Sequence, residues 1–261
     1  MTTTLTTQDR LGHLLNKVPE ATLTFWAIKV MSTTVGETVA DFLAVDAGLG
    51  QTFTRVLMAS LLGLALWAQF KTKRYTPWVY WLTVVLISVV GTQITDTLTD
   101  LLGVSLYVSS SIFSVALMTV FALWYKAERT LSIHTIDTFK REAFYWAAIL
   151  CTFALGTASG DLATEAFGLG FQNGALVFGG LIALTALVWR LGGNAVGSFW
   201  VAYVLTRPFG AAMGDLLTQA QADGGLGLGT MRTSAIFLSL IVLAVGMAQL
   251  RLSKSEFESV R

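Results

Sequence analysis

Four aspartates recur in one frame of this 261-residue chain. Asp41, Asp96, Asp161 and Asp215 each stand fifteen residues after a tryptophan, at Trp26, Trp81, Trp146 and Trp200. An aromatic residue precedes each tryptophan (Phe25, Tyr80, Tyr145, Phe199), and ten residues after it comes a glycine: Gly36, Gly91, Gly156 and Gly210. A second glycine follows three of the aspartates by seven residues, at Gly48, Gly103 and Gly168, and an insertion around 220–224 delays the fourth to Gly227. Fifteen residues of helix rise about 22 Å. A tryptophan at one membrane interface therefore puts its aspartate in the far part of a hydrocarbon layer about 30 Å thick. Charge at that depth is costly and faces protein or water rather than lipid. Four carboxylates at one depth must be protonated, paired or bound to a cation.

Other polar groups lie one helical turn away. Glu37 precedes Asp41 by four residues, while Asp100, Glu165 and Gln219 follow Asp96, Asp161 and Asp215 by four. That spacing puts each pair on one helix face. Thr33, Thr34, Thr38, Thr92, Thr95, Thr99, Thr157, Ser159 and Thr164 add hydroxyls nearby. Such an oxygen-only set suits a hard cation, Mn²⁺, Mg²⁺ or Ca²⁺. The expected ligands are Asp41, Asp96, Asp161 and Asp215, with Glu37 as a fifth and Asp100 and Glu165 as secondary members. His13 and His134 fall in polar segments at the opposite side, and the single Cys151 excludes thiolate clusters and an intramolecular disulfide. The same acids could instead cap or pin helices, with Lys29 and Arg207 neutralising two of them as plain ion pairs. Arg207 lies three residues before Gly210 and, at eight residues from Asp215, about 12 Å deeper along its helix. Its guanidinium keeps its proton and must find an anion or water. Glu37, one residue past the first glycine, is the expected partner, and a bound cation would compete with Arg207 for it.

These residues need membrane helices to hold them. Hydrophobic residues make up 54% of the chain and charged ones only 13%, far below the quarter usual in soluble domains. The net charge of +1 gives no reason to expect a nucleic-acid partner. Eight apolar spans are expected, at about 21–44, 53–70, 77–99, 103–125, 143–164, 171–190, 195–219 and 229–250. Lys and Arg concentrate in the N-terminal arm (Arg10, Lys17), in two loops (Lys71, Lys73, Arg74; Lys126, Arg129, Lys140, Arg141), after span six (Arg190) and in the tail (Arg251, Lys254, Arg261). The intervening loops carry Asp46, Asp100, Glu165 and Asp223, with only Arg55 and Arg232 beyond them. This bias places both termini, residues 1–20 and 251–261, in the cytoplasm. The eight tryptophans suit aromatic belts. The shared frame makes four parallel two-helix repeats, about 21–70, 77–125, 143–190 and 195–250, in one transmembrane domain. The fold expected is all-α, with pseudo-fourfold, nested-twofold symmetry about the membrane normal. The repeated glycines Gly36, Gly91, Gly156 and Gly210 permit close helix approach.

The stretches Val18-Pro19-Glu20, Phe25-Trp26 to Lys29, Thr33-Thr34, Gly36-Glu37-Thr38 and Asp41 resemble a bacterial family of uncharacterised "membrane-anchored" multi-pass proteins. So do Tyr80-Trp81, Gly91-Thr92, Thr95-Asp96, Arg129 to His134 and Thr206-Arg207-Pro208. The resemblance covers nearly the whole chain and implies an inner-membrane location without an established activity. The repeated Gly-x-x-x-x-Asp also resembles the acidic motifs of small cation/proton exchangers, with glycine and acid in the reverse order. Walker, dinucleotide, HExxH and nucleophile-elbow motifs are absent, so no enzyme and no required cofactor are expected. The expected function is membrane transport of a hard divalent cation through the carboxylates. A proton or cation channel with a pseudo-fourfold pore, and a non-transporting assembly or sensor protein, are the alternatives. The expected partners are the lipid bilayer and metal cations or protons, and a homo-oligomer stays open.

Overall fold

The computed structural model describes residues 16–43 and 50–259, except the side chains of Asp41 and of residues 255–259. Arg10, His13, Asp46, Gly48 and Arg261 lie outside the described residues, as does the side chain of Asp41. Eight long helices run in order: α1 (Leu23–Asp41), α2 (Gln51–Lys71), α3 (Pro77–Asp96), α4 (Leu106–Glu128), α5 (Phe139–Asp161), α6 (Gly170–Arg190), α7 (Ala195–Thr218) and α8 (Thr230–Ser259). The described residues hold no strand.

Local sequence sets the helix starts. The Thr22 hydroxyl caps α1 by accepting from the Phe25 N–H, Pro77 opens α3, Thr138 accepts from Arg141 at the start of α5, and Asn194 accepts from Gly197 at the start of α7. The turns between the two helices of a unit carry glycines with positive φ, at Gly103, Gly168 and Gly227, where a side chain would strain the backbone. Directly after Asp96 and Asp161 the helix widens into a π turn, Thr97–Leu101 and Leu162–Ala166. The spans are longer than hydropathy suggests: α5 starts at Phe139 and α8 runs to Ser259. Charged residues at these ends depress the local average without stopping the helix.

The first helices of the units form an inner ring. α1 packs on α3, α3 on α5, α5 on α7, and α7 back on α1. The second helices form an outer shell in which each leans on the first helix of the next unit: α2 on α3, α4 on α5, α6 on α7, and α8 on α1. In its most apolar stretch α3 is 67% buried within the bundle and α8 only 11%, which separates ring from shell. The shell exposes Leu64 and Trp67 of α2, Val115 and Met118 of α4, Leu184 and Leu187 of α6, and Leu243 and Met247 of α8. Such faces are unfavourable in water and suit lipid. Among the described residues six helices are long and apolar enough to cross a membrane. The other two, α1 and α7, carry Lys29, Glu37 and Arg207 in their interiors, and all three side chains are buried in the ring.

The glycines set the ring spacing. A Cβ on Gly36 would meet Ser88, one on Gly91 would meet Phe153, one on Gly156 would meet Arg207, and one on Gly210 would meet Thr33. Each glycine thus abuts the next unit, and the last returns to the first. The repeat tryptophans Trp81, Trp146 and Trp200 turn into the bundle. Aromatic rings suit a belt or a core, and here Trp200 donates to the Leu131 carbonyl and Trp81 to the Tyr75 hydroxyl. The exposed tryptophans are Trp67, Trp78 and Trp189, none of them in the repeat frame.

Candidate functional site

A stripe of every fourth residue on each ring helix builds the site. On α1 it is Phe25, Lys29, Thr33, Glu37 and Asp41; on α3 it is Tyr80, Val84, Ser88, Thr92 and Asp96. On α5 it is Tyr145, Ile149, Phe153, Thr157 and Asp161; on α7 it is Phe199, Tyr203, Arg207, Ala211 and Asp215. Every stripe residue before the terminal aspartates is buried, and Asp96, Asp161 and Asp215 are half-buried. Four residues advance about 6 Å, so the stripes form layers down the ring: aromatic at one end, acidic at the other.

At the acidic end lies a partly open cavity of about 360 Å³. Its lining includes Glu37 from the first unit, Asp96 and Asp100 from the second, Asp161 and Glu165 from the third, and Asp215 from the fourth. Asp161 is within electrostatic reach of Glu37, Glu165, Asp215 and Asp96, and Glu165 of Asp100 and Glu37. Six of the expected acids therefore share one space. Among the described residues, however, no three acids are grouped closely enough to hold a metal ion directly. Sequence reasoning passed over Gln51, Gln93 and Arg55, which also line the cavity. Arg55 hydrogen-bonds Gln51 at 2.9 Å. Its place at the start of α2, on the acid-rich side, was the available signal.

Arg207 lies beneath the cavity and is tied to its lining through Glu37. It is fully buried, and every nitrogen donates. Nη2 meets Glu37 Oε2 at 2.6 Å and Thr157 Oγ1 at 2.8 Å, and it also bonds Thr92 Oγ1. Nη1 donates to the Thr33 carbonyl at 2.7 Å, and Nε to Thr157 Oγ1 at 3.1 Å. Glu37, Thr92 and Thr157 occupy one repeat position in the first three units, so the fourth unit's arginine is held by the other three together. The sequence pairs Arg207 with Glu37 and assigns Thr92 and Thr157 to the acid cluster; the structure turns both hydroxyls onto the guanidinium. Thr95 likewise donates to the Ala154 carbonyl across the α3–α5 contact.

Lys29 departs from expectation. Its Nζ has no hydrogen-bond partner and reaches no carboxylate among the described residues. It stands 4.0 Å from the Phe153 ring centroid and 4.3 Å from that of Tyr203. One layer toward the aromatic end, the Tyr80 and Tyr145 hydroxyls share a 2.6 Å hydrogen bond. Lys29 sits two turns below Glu37 on the same helix, so Arg207 reaches that acid and Lys29 does not.

A family model described as a repeat of unknown function (DUF347) matches the chain four times, at residues 24–75, 79–130, 144–192 and 198–254. No curated protein matches the chain, and no solved structure does.

Proposed function

The chain belongs to this DUF347 repeat family, and from that footing we propose that it is a carrier of a hard divalent cation, Mn²⁺, Mg²⁺ or Ca²⁺, in the bacterial inner membrane. One observation carries the reading: all four units bring a carboxylate to one cavity in the ring. Carboxylate and amide oxygens suit such cations, and the site offers neither thiolate nor imidazole. The cavity's 360 Å³ has room for about twelve waters of about 30 Å³ each, twice an octahedral first shell. The cation would therefore be held through its water shell, which fits acids that are near one another without closing on a single point.

Both helix layers pass contacts from one unit to the next and back to the first, which supports four units related by pseudo-fourfold, nested-twofold rotation about the membrane normal. The acidic cavity then faces outward. Lys17, Lys71, Lys126 and Arg141 gather at the other end, which supports cytoplasmic termini. Below the cavity the ring is filled by Arg207, Lys29 and aromatic rings. That packing favours a carrier over an open channel.

In this carrier Arg207 acts as a tethered cation. An arriving ion screens Glu37, releases the guanidinium and frees the ring to shift. The purified chain in liposomes should take up Mn²⁺, and Asp161→Asn with Asp215→Asn should lower uptake at least tenfold. Arg207→Gln should stay folded, bind Mn²⁺ more tightly and transport it slowly. If Arg207 is only a structural partner, the variant instead loses about 3–5 kcal/mol from the unpaired buried acid. A loss of that size that no divalent cation restores, with unchanged uptake in the double aspartate variant, sinks the proposal in favour of an assembly or sensor role.

A further inference from the structure

Lys29 is a buried cation that the carrier reading leaves without a task and that, unlike Lys17, meets no acid among the described residues. Its side chain is 1% exposed, and its ammonium touches aromatic faces in place of an anion. A ring face satisfies an ammonium only partly. A lone buried cation is expensive, and a neighbouring cation makes it more so. Arg207 is that neighbour: its guanidinium carbon lies 5.9 Å from the centroid of the same Phe153 ring. A guanidinium holds its proton in a protein, whereas an amine can exchange one. Of two buried cations in adjacent layers, Lys29 alone can change its charge.

Among the described residues, the groups next to Lys29 are rings, hydroxyls and a guanidinium, and no acid reaches it. On α7 the facing groups are Tyr203 and Arg207, and on α5 it is Phe153. The Tyr203 hydroxyl has no hydrogen-bond partner among the described residues. Tyr203 interacts electrostatically with Tyr80 of α3 and Tyr145 of α5, the hydroxyl pair of the next layer. From α8, which also packs on α1, Thr233 and Ser234 are buried, and no charged side chain is among the described residues. Beyond the tyrosines, toward the cytoplasmic end, the next buried carboxylate is Glu142.

We propose that Lys29 is a proton-binding site on the ring axis, loaded and unloaded through the tyrosine hydroxyls, and that its proton is the ion exchanged for the cation. The exchange rests on the carrier reading; the proton site does not. When a cation enters and Arg207 leaves Glu37, the guanidinium becomes an unpaired charge beside Lys29. The ammonium then swings from the face of the Tyr203 ring to its hydroxyl, breaks one N–H bond and passes that proton to Tyr203 Oη, which hands its own proton on toward the inner water and leaves a neutral amine. One positive charge thereby leaves the ring for each divalent ion that arrives.

Two substitutions separate this from a structural role. Lys29→Arg keeps the positive charge and the ring contacts but cannot release a proton; Lys29→Met keeps neither charge nor proton. In liposomes with an entrapped pH dye, the wild type should move protons against Mn²⁺, and both variants should lower that counterflux at least tenfold while Mn²⁺ binding at the cavity persists. A Lys29→Arg protein with wild-type counterflux overturns the proposal. The second readout needs no transport. In ¹³C-lysine-labelled protein whose other lysines are replaced by arginine, the Lys29 Cε resonance should report a change of charge state as the pH of the sample is varied and shift on adding Mg²⁺. A resonance fixed in one charge state throughout overturns the proton site even where Mn²⁺ uptake is intact. A titrating resonance in a protein that moves no cation upholds the site and removes the carrier reading instead.

Discussion

The two ends of the inner ring are built on opposite principles. At the end where α3 and α5 begin, the buried charges Lys17 and Glu142 are matched to each other. The Lys17 ammonium meets Glu142 at 2.6 Å with both side chains buried, and Gln69 donates to the other Glu142 oxygen at 3.0 Å. Asn16 accepts from the Ile136 N–H at 3.0 Å and donates to the Val18 carbonyl at 2.9 Å, which straps the N-terminal arm across the bundle. Phe25, Tyr80, Trp81, Tyr145, Trp146, Phe199 and Trp200 fill the space between. At the other end six acids from four units face one cavity. One end resolves its charges within the protein, while the other gathers like charges around a space that an ion can enter. On the proposed carrier reading, the closed end holds the ring together and the acid end binds the cation.

Substitutions along the ring test that division. The largest effect should come from the closed end. Glu142→Ala leaves the Lys17 ammonium buried without its partner, and thermal unfolding should show a loss of about 3–5 kcal/mol. A loss below about 1 kcal/mol would mean that this pair is not what closes the ring.

Next should come the crossing level between the ends. A Cβ on Gly91 would stand 2.7 Å from the Phe153 Cβ, with backbone of Ala154 at 3.3 Å behind it. Gly91→Ala should cost about 1–3 kcal/mol by overpacking. Gly180 on the outer helix α6 meets nothing within 4 Å. Gly180→Ala should therefore be neutral or stabilising by up to about 1 kcal/mol, since alanine is the better helix former. Equal losses at the two glycines would erase the distinction between ring and shell.

A smaller effect is expected at the tyrosine pair. Tyr80→Phe removes one hydroxyl of the 2.6 Å bond and should lower stability by about 1–2 kcal/mol, with the fold unchanged by circular dichroism. The smallest belongs to the acid end. Glu165→Gln, an exposed site, should shift stability by no more than about 0.5 kcal/mol while weakening Mn²⁺ binding severalfold in a calorimetric titration. A large destabilisation there, with binding intact, would make the acids structural and reverse the comparison.

Much of this was legible from spacing. The Trp-Gly-Asp frame locates all four units, and the matched family repeats fall on the same stretches. Glu37 as partner of Arg207 followed from the frame together with the demand of a buried guanidinium for an anion. The full four-residue stripe was equally present in the alignment, since Thr92 and Thr157 share the Glu37 position. It went unread because threonines are common in membrane helices, and only a known ring order shows that three units surround the fourth. The inward tryptophans and the ring contacts of Lys29 had no distinct signal. A tryptophan suits a belt or a core, and a long amine reaches an acid, an interface or a ring face with the same chain of carbons.

By itself, then, the sequence determined an all-helical chain with membrane-like helices, four repeated units and an acid in register in each. Those features are local: they follow from hydropathy along a segment and from spacing measured along a helix. Only the tertiary structure decided which helix each unit hands to the next, that α8 closes on α1, and that one arginine takes the oxygens of three units while one lysine takes none. These depend on how far two backbones approach at Gly36, Gly91, Gly156 and Gly210. A glycine in a sequence states that a close approach is permitted, and the partner that makes it is a property of the assembled ring.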